Sequence, residues 1–369
     1  MKIRLMLLFL LIPSIFFAEI ELNGLFRNDA LWINRTNNFY FSDIVENRLI
    51  LSKKSEEWRF YLDARLYLLY GEASKFPVNI KLPQEFVAIG FPSEISTNLT
   101  LNYTIDLKRA FVRYDSPVGM WTLGKTYINF GNPGVFNPLE FDKNFSISDL
   151  KADKNGIFAL EYQSTFWELS GFKGYLSMTG EESIPVYGGS IYSHIGSFSF
   201  GAVAQRQSKD TNKAGLYFKG DLELGIQGGY AYHFDDNLTN NWNEANIGID
   251  YSFLDGKLFT TLVFYYAEKG ATSTNDYDKN LNLDKFLVAK YYIYGNITYT
   301  HNEFFSVSLD GFYNIIDSSV VFVPSLTYSL SDGLNFTVLT YFPTGFNEME
   351  FSRDKIGNFG VDLRIEGKL

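Results

Sequence analysis

The sequence has no cysteine and only three histidines among its 369 residues. Without cysteine, neither a disulfide framework nor a lipid-modified N-terminal cysteine is possible. The histidines, His194, His233 and His301, fall in separate segments. We therefore expect them to form neither a metal site with one another nor the base of a Ser/His catalytic pair. The sequence predicts no cofactor and no enzyme activity.

Cationic residues and long apolar runs are also scarce. The chain has 32 Lys and Arg against 42 Asp and Glu, a formal charge of −10, which argues against a nucleic-acid partner. Beyond residue 18 no apolar run reaches the about 18 residues that a membrane-spanning helix needs. Aromatic residues, by contrast, are abundant at 18%, with 35 Phe and 25 Tyr. The composition leaves a secreted all-β protein or a membrane β-barrel.

The first 18 residues have the pattern of a secretory signal peptide. Lys2 and Arg4 give a positive start, residues 5–11 are apolar, and Ala18 is the expected residue before cleavage. No linker or change in composition follows. We predict a signal peptide at 1–18 and one exported domain at 19–369.

Apolar and polar residues alternate along most of the remaining chain. In the last segment Val361, Leu363 and Ile365 alternate with Arg364 and Glu366, the period of a β-strand with one apolar face. Eighteen segments show this pattern, with sixteen as the alternative count. They are 20–33, 44–53, 57–71, 106–115, 119–128, 155–164, 166–176, 185–194, 197–208, 213–219, 222–234, 243–253, 257–268, 285–299, 304–315, 319–329, 334–342 and 359–369.

Strand length and connections favour a membrane barrel over a soluble β-sandwich. Many segments have about ten to thirteen residues, which suits tilted strands that cross a bilayer. Tight connections (54–56, 116–118, 164–165, 195–196, 254–256 and 330–333) alternate with long ones (34–43, 72–105, 129–155, 235–242, 270–284 and 343–358). Outer-membrane barrels have short turns at one end and long loops at the other. We predict an all-β antiparallel barrel in the outer membrane, closed by pairing of the last strand with the first.

The third long connection, 129–155, is unusually apolar for a loop in water. It contains two Asn-Pro pairs and several large apolar residues, so it needs a surface on which to pack. We predict that this loop folds into the lumen and narrows it; a compact cap at the rim is the alternative. The predicted constriction residues are Phe136, Asn137, Pro138, Glu140, Asp142 and Lys143.

The same region resembles a family of known barrels. Residues 125–140 read KTYINFGNPGVFNPLE, with an aromatic-Gly pair, a following Phe136-Asn137-Pro138 and then Glu140. Over residues 125–162 this arrangement is similar to that of alginate-export-type and related porin-like outer-membrane barrels. The resemblance implies a porin-type exporter or channel but gives no substrate.

Arginines recur on the predicted inner faces of the first strands. The predicted pore-lining residues are Arg27, Arg48, Arg59, Asp63, Arg65, Arg109, Arg113 and Lys125, although Lys125 shares a face with Trp121 and Leu123. A basic wall opposite an acid-rich loop would produce a transverse field that orients dipolar solutes. Two alternatives remain open: the arginines are bracing ion pairs, or they are simply solvated charges of the lumen.

Two functions from different classes fit these observations. The first is an outer-membrane channel for passive diffusion of ions and small polar solutes, because a barrel of this size leaves a water-filled lumen. The second is a surface-exposed binding barrel or adhesin that acts through an outer loop such as 72–105. The expected partners are membrane lipid, the barrel-assembly machinery through the C-terminal strand, and small solutes. A homo-oligomer is neither required nor excluded by the sequence.

Overall fold

A computed structural model of the chain describes residues 20–35, 38–71, 80–81, 94–95, 102–131, 134–140, 156–167, 169–177, 185–208, 211–277 and 287–368. The predicted signal peptide lies outside these ranges and stays a prediction. None of the helices in the described ranges has the length and apolar character needed to cross a membrane.

Eighteen antiparallel strands form one closed barrel. Each strand of the barrel pairs with the next one along the chain. The last strand pairs with the first, in a register that runs from Leu25 opposite Lys368 to Asn34 opposite Phe359. The strands are β1 Glu21–Arg35, β2 Asn38–Lys54, β3 Trp58–Gly71, β6 Asn102–Ser116, β7 Gly119–Thr126, β8 Ile157–Trp167, β9 Ser170–Ser177, β10 Val186–Ile195, β11 Phe198–Ser208, β12 Thr211–Leu222, β13 Leu224–Phe234, β14 Trp242–Phe253, β15 Leu258–Ala267, β16 Tyr291–Asn302, β17 Phe305–Asn314, β18 Val320–Ser331, β19 Leu334–Pro343 and β20 Phe359–Lys368. A separate pair, β4 Ile80–Lys81 and β5 Glu94–Ile95, lies between β3 and β6. The predicted barrel and its count of eighteen strands are confirmed.

Alternation along the strands gives the barrel two different faces. On β14 and β15, Ile247, Ile249 and Leu262 are exposed, whereas Glu244 and Val263, at alternate positions, are buried. We call the side with exposed apolar residues the outer face and the other the inner face. Successive side chains of a strand point to opposite faces, so a sequence of period two produces this division.

The connections define two ends of the barrel. Short turns join β2 to β3, β6 to β7, β10 to β11, β14 to β15 and β18 to β19 at one end, the turn end. Residues 72–101, 127–156, 268–290 and 344–358 connect strands at the other, the loop end. A 3-10 turn at Thr274–Asp276 and a helical turn at Arg353–Ile356 belong to these loops.

Two predicted connections are wrong. The long connection 34–43 is largely strand, because β1 and β2 stay paired up to Arg35 and Asn38; Trp32 and Phe41, with ring centroids 5.2 Å apart, extend this ladder. The tight turn predicted at 164–165 lies within β8, where Thr165 pairs with Gly171.

Candidate functional site

The inner face of β20, β1, β2, β3 and β6 carries a dense set of charges, which we call the charged wall. At the seam of the barrel, the Asp29 carboxylate accepts hydrogen bonds from Arg27 Nε and Arg364 Nε, each at 2.6 Å. Arg364 also contacts Asp362 at 3.3 Å. Two of the four groups come from β1 and two from β20. This network therefore ties the first strand to the last.

A second network joins β2 to β3. Arg48 donates two hydrogen bonds to Asp63, at 2.8 and 2.7 Å, the bidentate geometry that suits a guanidinium and a carboxylate. Arg65 contacts Glu46 at 2.9 Å and Asp63 at 3.8 Å. Asp63 is fully buried. Three of the predicted pore-lining residues are thus members of one ion-pair network.

An irregularity in β6 brings two more cations together. Asp63 pairs with Arg109 but Ala64 pairs with Leu107, so Lys108 is an extra residue in the ladder, a β-bulge. Lys108 contacts Asp106 at 2.6 Å. Because of the bulge, the consecutive residues Lys108 and Arg109 both lie on the charged wall.

Near the turn end the cations have fewer acidic neighbours. Arg59 pairs across the sheet with Lys54 on one side and with Arg113 on the other. Arg113 donates to Thr122 at 3.2 Å and lies 5.4 Å from the ring centroid of Phe111. Like charges directly opposite each other in a sheet are unfavourable, so this row favours an anion in its vicinity.

Lys125 differs from the other predicted wall residues. It alternates with the buried Thr122 and Thr126 and shares its face with the exposed Trp121 and Leu123. This is the outer face, so we do not include Lys125 in the charged wall.

The described part of the long connection after β7 forms a compact segment, which we call segment 128–140. Asn137 holds its turn: Nδ2 donates to the carbonyl of Phe130 at 2.7 Å, and Oδ1 accepts from the N–H of Leu139 at 3.1 Å. Gly131 lies in this turn with φ of 80°, a conformation that glycine adopts without strain. Side chain and backbone together fix the path of the segment.

Phe136 seats the segment in an aromatic cluster. Its ring stacks on Tyr265 with centroids 4.9 Å apart and meets Tyr294 and Phe312 at 6.3 and 6.2 Å. Asn246 Nδ2 donates to the Phe136 carbonyl. These partners alternate with exposed apolar residues of the same strands, and Phe136 is buried among them.

Further along, strand side chains hold the backbone of the segment. Gln205 Nε2 donates to the Leu139 carbonyl at 3.0 Å, and Lys213 Nζ donates to the Glu140 carbonyl at 2.8 Å. Gln207 adds a longer bond to Glu140 at 3.4 Å. Because the acceptors are backbone carbonyls, these contacts depend on the path of the segment more than on its side chains.

The predicted constriction residues are described only in part. Phe136, Asn137, Pro138 and Glu140 are buried, and Tyr127 donates its hydroxyl proton to the Glu140 carboxylate. Asp142 and Lys143 lie outside the described residues.

The sequence interpretation missed the residues that receive this segment. Gln205, Lys213 and Asn246 occupy inner-face positions of three different strands, and their polarity at those positions was the available signal. No pattern within one strand says which loop a polar inner residue will contact. Among the described residues no group of three or more acidic or histidine side chains is placed to hold a metal ion.

Comparison with known proteins places this geometry in a structural class. No protein-family model and no curated protein sequence matches the chain. Solved structures do match. OccAB1 of Acinetobacter baumannii shares 9% identity with a TM-score of 0.59, covering 95% of this chain and 97% of its own. OccAB4 of the same organism shares 12% identity at 0.56, covering 95% and 98%. OccK3 of Pseudomonas aeruginosa shares 9% at 0.57, covering 95% and 96%.

These structures match this chain over almost its whole length and share its fold. At such low identity the likeness is one of fold.

Proposed function

We propose that the chain is an outer-membrane channel for passive diffusion of ions and small polar solutes. The observation that carries this proposal is the closed eighteen-strand barrel with an apolar outer face and a charged inner wall. A soluble barrel would gain nothing from exposed Ile247, Leu262 and Ile297, whereas a bilayer covers them with hydrocarbon. A polar interior of this width suits a water-filled path.

We further infer that segment 128–140 folds into the lumen and sets its bore. Support comes from its contacts with Gln205, Lys213, Asn246 and Tyr265, all at inner-face positions. Strands β12 to β15 lie about half the ring away from β1, β2 and β3. A segment that covers their inner faces leaves the remaining opening beside the charged wall. Asp142 and Lys143 stay predicted members of this constriction.

The charged wall then determines how ions and polar solutes pass. Arg27, Arg48 and Arg65 are in ion pairs that brace the wall, so their charges are partly cancelled. Within the described ranges Arg59 forms no ion pair, and the Arg113 side chain donates to the Thr122 hydroxyl and to no carboxylate. We infer weak ion selectivity, in which these two arginines, with Arg109, favour the anionic group of a polar solute.

The remaining inferences concern export and assembly. A signal peptide at 1–18 and recognition of the C-terminal strand by the barrel-assembly machinery follow from the sequence pattern, and a homo-oligomer remains one alternative. The likeness of residues 125–162 to alginate-export-type barrels rests on the sequence motif alone and identifies no solute.

Conductance in a planar bilayer tests the channel. The refolded protein, exported form 19–369, should produce discrete ion-current steps in a membrane that is otherwise closed. Heat-modifiable gel mobility serves as the check that the barrel has folded. Folded protein that inserts into the bilayer without any conductance would contradict the proposal.

Deletion of residues 133–148 tests the constriction. Removal of this part of the loop should raise the single-channel conductance, because the bore is no longer narrowed, while the barrel stays folded. If conductance is unchanged, the loop is a cap at the rim and the channel itself is not in question.

A further inference from the structure

A buried carboxylate joins several parts of the loop end. Glu350, in the connection 344–358, is 3% exposed. Its carboxylate accepts hydrogen bonds from the Val288 N–H at 3.1 Å, the Tyr292 hydroxyl at 2.6 Å and Asn314 Nδ2 at 2.7 Å. These donors belong to the connection before β16, to β16 and to β17. One acidic side chain thus holds the last loop to two strands and to another loop.

The surroundings of Glu350 contain few groups that would compensate its charge. Asp317, between β17 and β18, accepts from the Glu350 N–H at 2.7 Å and is itself acidic. Tyr277 accepts from Asn314 at 2.8 Å. The cation on the same loop, Lys355, lies 5.5 Å from the centroid of the Tyr277 ring and donates to the Glu348 carbonyl at 3.3 Å. The titratable neighbours are therefore Tyr292, Tyr277 and Asp317, and Glu350 forms no ion pair with any described residue.

We propose that Glu350 is a proton-operated latch that holds the segment 344–358 against the ends of β16 and β17. The three hydrogen bonds fix the geometry of the docked segment. Because the carboxyl is buried, docking depends on whether that carboxyl is charged. The latch is a regulatory device of the loop end and does not depend on which solute the barrel admits.

The direction of the response follows from burial. Desolvation raises the pKa of the Glu350 carboxyl from 4.5 to about 7, with Asp317 adding to this shift and the bonds from Tyr292, Val288 and Asn314 opposing it. In an undocked, solvated segment the pKa returns to its ordinary value. The docked state therefore binds the proton more tightly, and acid favours docking. Between these two pKa values the undocked-to-docked ratio should rise by up to about tenfold per pH unit.

The latch is connected to the aromatic cluster of the proposed constriction. Phe351, next to Glu350, is fully buried in the cluster that also contains Phe136 and Tyr292. Release of the segment would take Phe351 away from Tyr292, whose ring also meets Phe136.

Thiol labelling measures docking directly, because the chain has no cysteine of its own. The Ser352 hydroxyl is buried and makes no hydrogen bond with the described residues, so Ser352→Cys is a mild change that gives a thiol protected by docking. Phe346→Cys, at a position 78% exposed on the same loop, gives a thiol that is always accessible. We divide the labelling rate of Ser352→Cys by that of Phe346→Cys and call the result the labelling ratio. The pH dependence of thiol reactivity affects both rates alike and cancels in this ratio.

We expect this ratio to rise by tenfold or more from about pH 5 to about pH 8 with Glu350 present. In the Glu350→Gln background, where an uncharged amide takes the place of the carboxyl, the ratio should stay low and flat. Glu348→Gln, a change at an exposed carboxylate of the same loop, should leave the rise intact.

A second variant keeps the test decisive if Glu350→Gln folds poorly. Tyr292→Phe removes a donor that favours the ionised carboxylate in the docked state only, so the rise should begin at the same pH and continue to a higher pH. A rise that is the same with and without Glu350, or a flat ratio in the unmodified background, would overturn the latch.

Discussion

At the scale of single residues, burial decides which ion pairs matter. Asp63 is fully buried and accepts hydrogen bonds from Nε and Nη2 of Arg48. Asp63→Asn would leave an arginine of the wall without its carboxylate, which typically costs about 3–5 kcal/mol for a buried pair. We expect a loss of that order in the free energy of unfolding, measured by denaturant titration of the protein in lipid or detergent.

A matched pair at the surface provides the control. Arg206 and Asp236 also form an Arg–Asp contact, at 2.9 Å, but the Asp236 side chain is 53% exposed. Exposed pairs contribute little because water screens them and both side chains lose freedom. Asp236→Asn should therefore cause no measurable loss, and equal losses in the two variants would show that burial is not the deciding factor.

At the scale of secondary-structure elements, the strands were predictable because each one repeats its pattern over many residues. The connections were less so. The polar run Asn34-Arg35-Thr36 is typical of a loop, yet Trp32 and Phe41 pair across the sheet, and the β1–β2 ladder extends into this run as far as Arg35 and Asn38. Ser164 and Thr165 resemble turn residues, but a β-branched threonine also suits a strand, and β8 continues to Trp167. Local composition does not predict such cross-strand pairs, because the partner residue lies elsewhere in the chain.

The loops show the same limit more strongly. The apolar residues of 129–155 predict a packed loop, and the buried Phe136 and Leu139 agree with that prediction. The carboxylate of Glu350, in contrast, meets donors 36 and 58 residues away. The side-by-side pairing of β16 to β20 brings these segments together. A single acid between Met349 and Phe351 is the sequence signal of this site, and it does not indicate which donors the acid will meet.

Segment 128–140 gives a prediction at this scale. Asn137→Ala removes the bonds to the Phe130 carbonyl and the Leu139 N–H, and each buried group left without a partner costs about 1–3 kcal/mol. The segment should loosen and single-channel conductance should increase, while the barrel keeps its heat-modifiable mobility. Asn129→Ala is the control, because Asn129 only accepts a long bond of 3.5 Å from Asn137. An unchanged conductance in the first variant would show that Asn137 does not set the bore.

At the scale of the whole molecule, charge is distributed unevenly around the barrel. The charged wall occupies β20, β1, β2, β3 and β6. On one side of the wall, β17 to β19 present pairs of hydroxyls, Ser308–Ser325 at 2.7 Å and Thr327–Thr337 at 3.1 Å. The chain is acidic overall, but its net charge includes loops outside the lumen. Ions respond to charges within about a Debye length, roughly 8 Å at physiological salt, so the wall should decide selectivity.

Arg59 and Arg113 provide the sharpest test of this expectation. They pair with each other across β3 and β6, and neither has a carboxylate partner among the contacts of the described residues. Replacement of both by Ser removes two uncompensated cations from the wall, so the reversal potential under a salt gradient should shift towards cation selectivity. Lys257→Ser with Arg353→Ser, at exposed positions of a turn and a loop, removes the same formal charge and should leave the reversal potential close to that of the unmodified channel. Equal shifts in the two double variants would mean that net charge, rather than its position on the wall, governs selectivity.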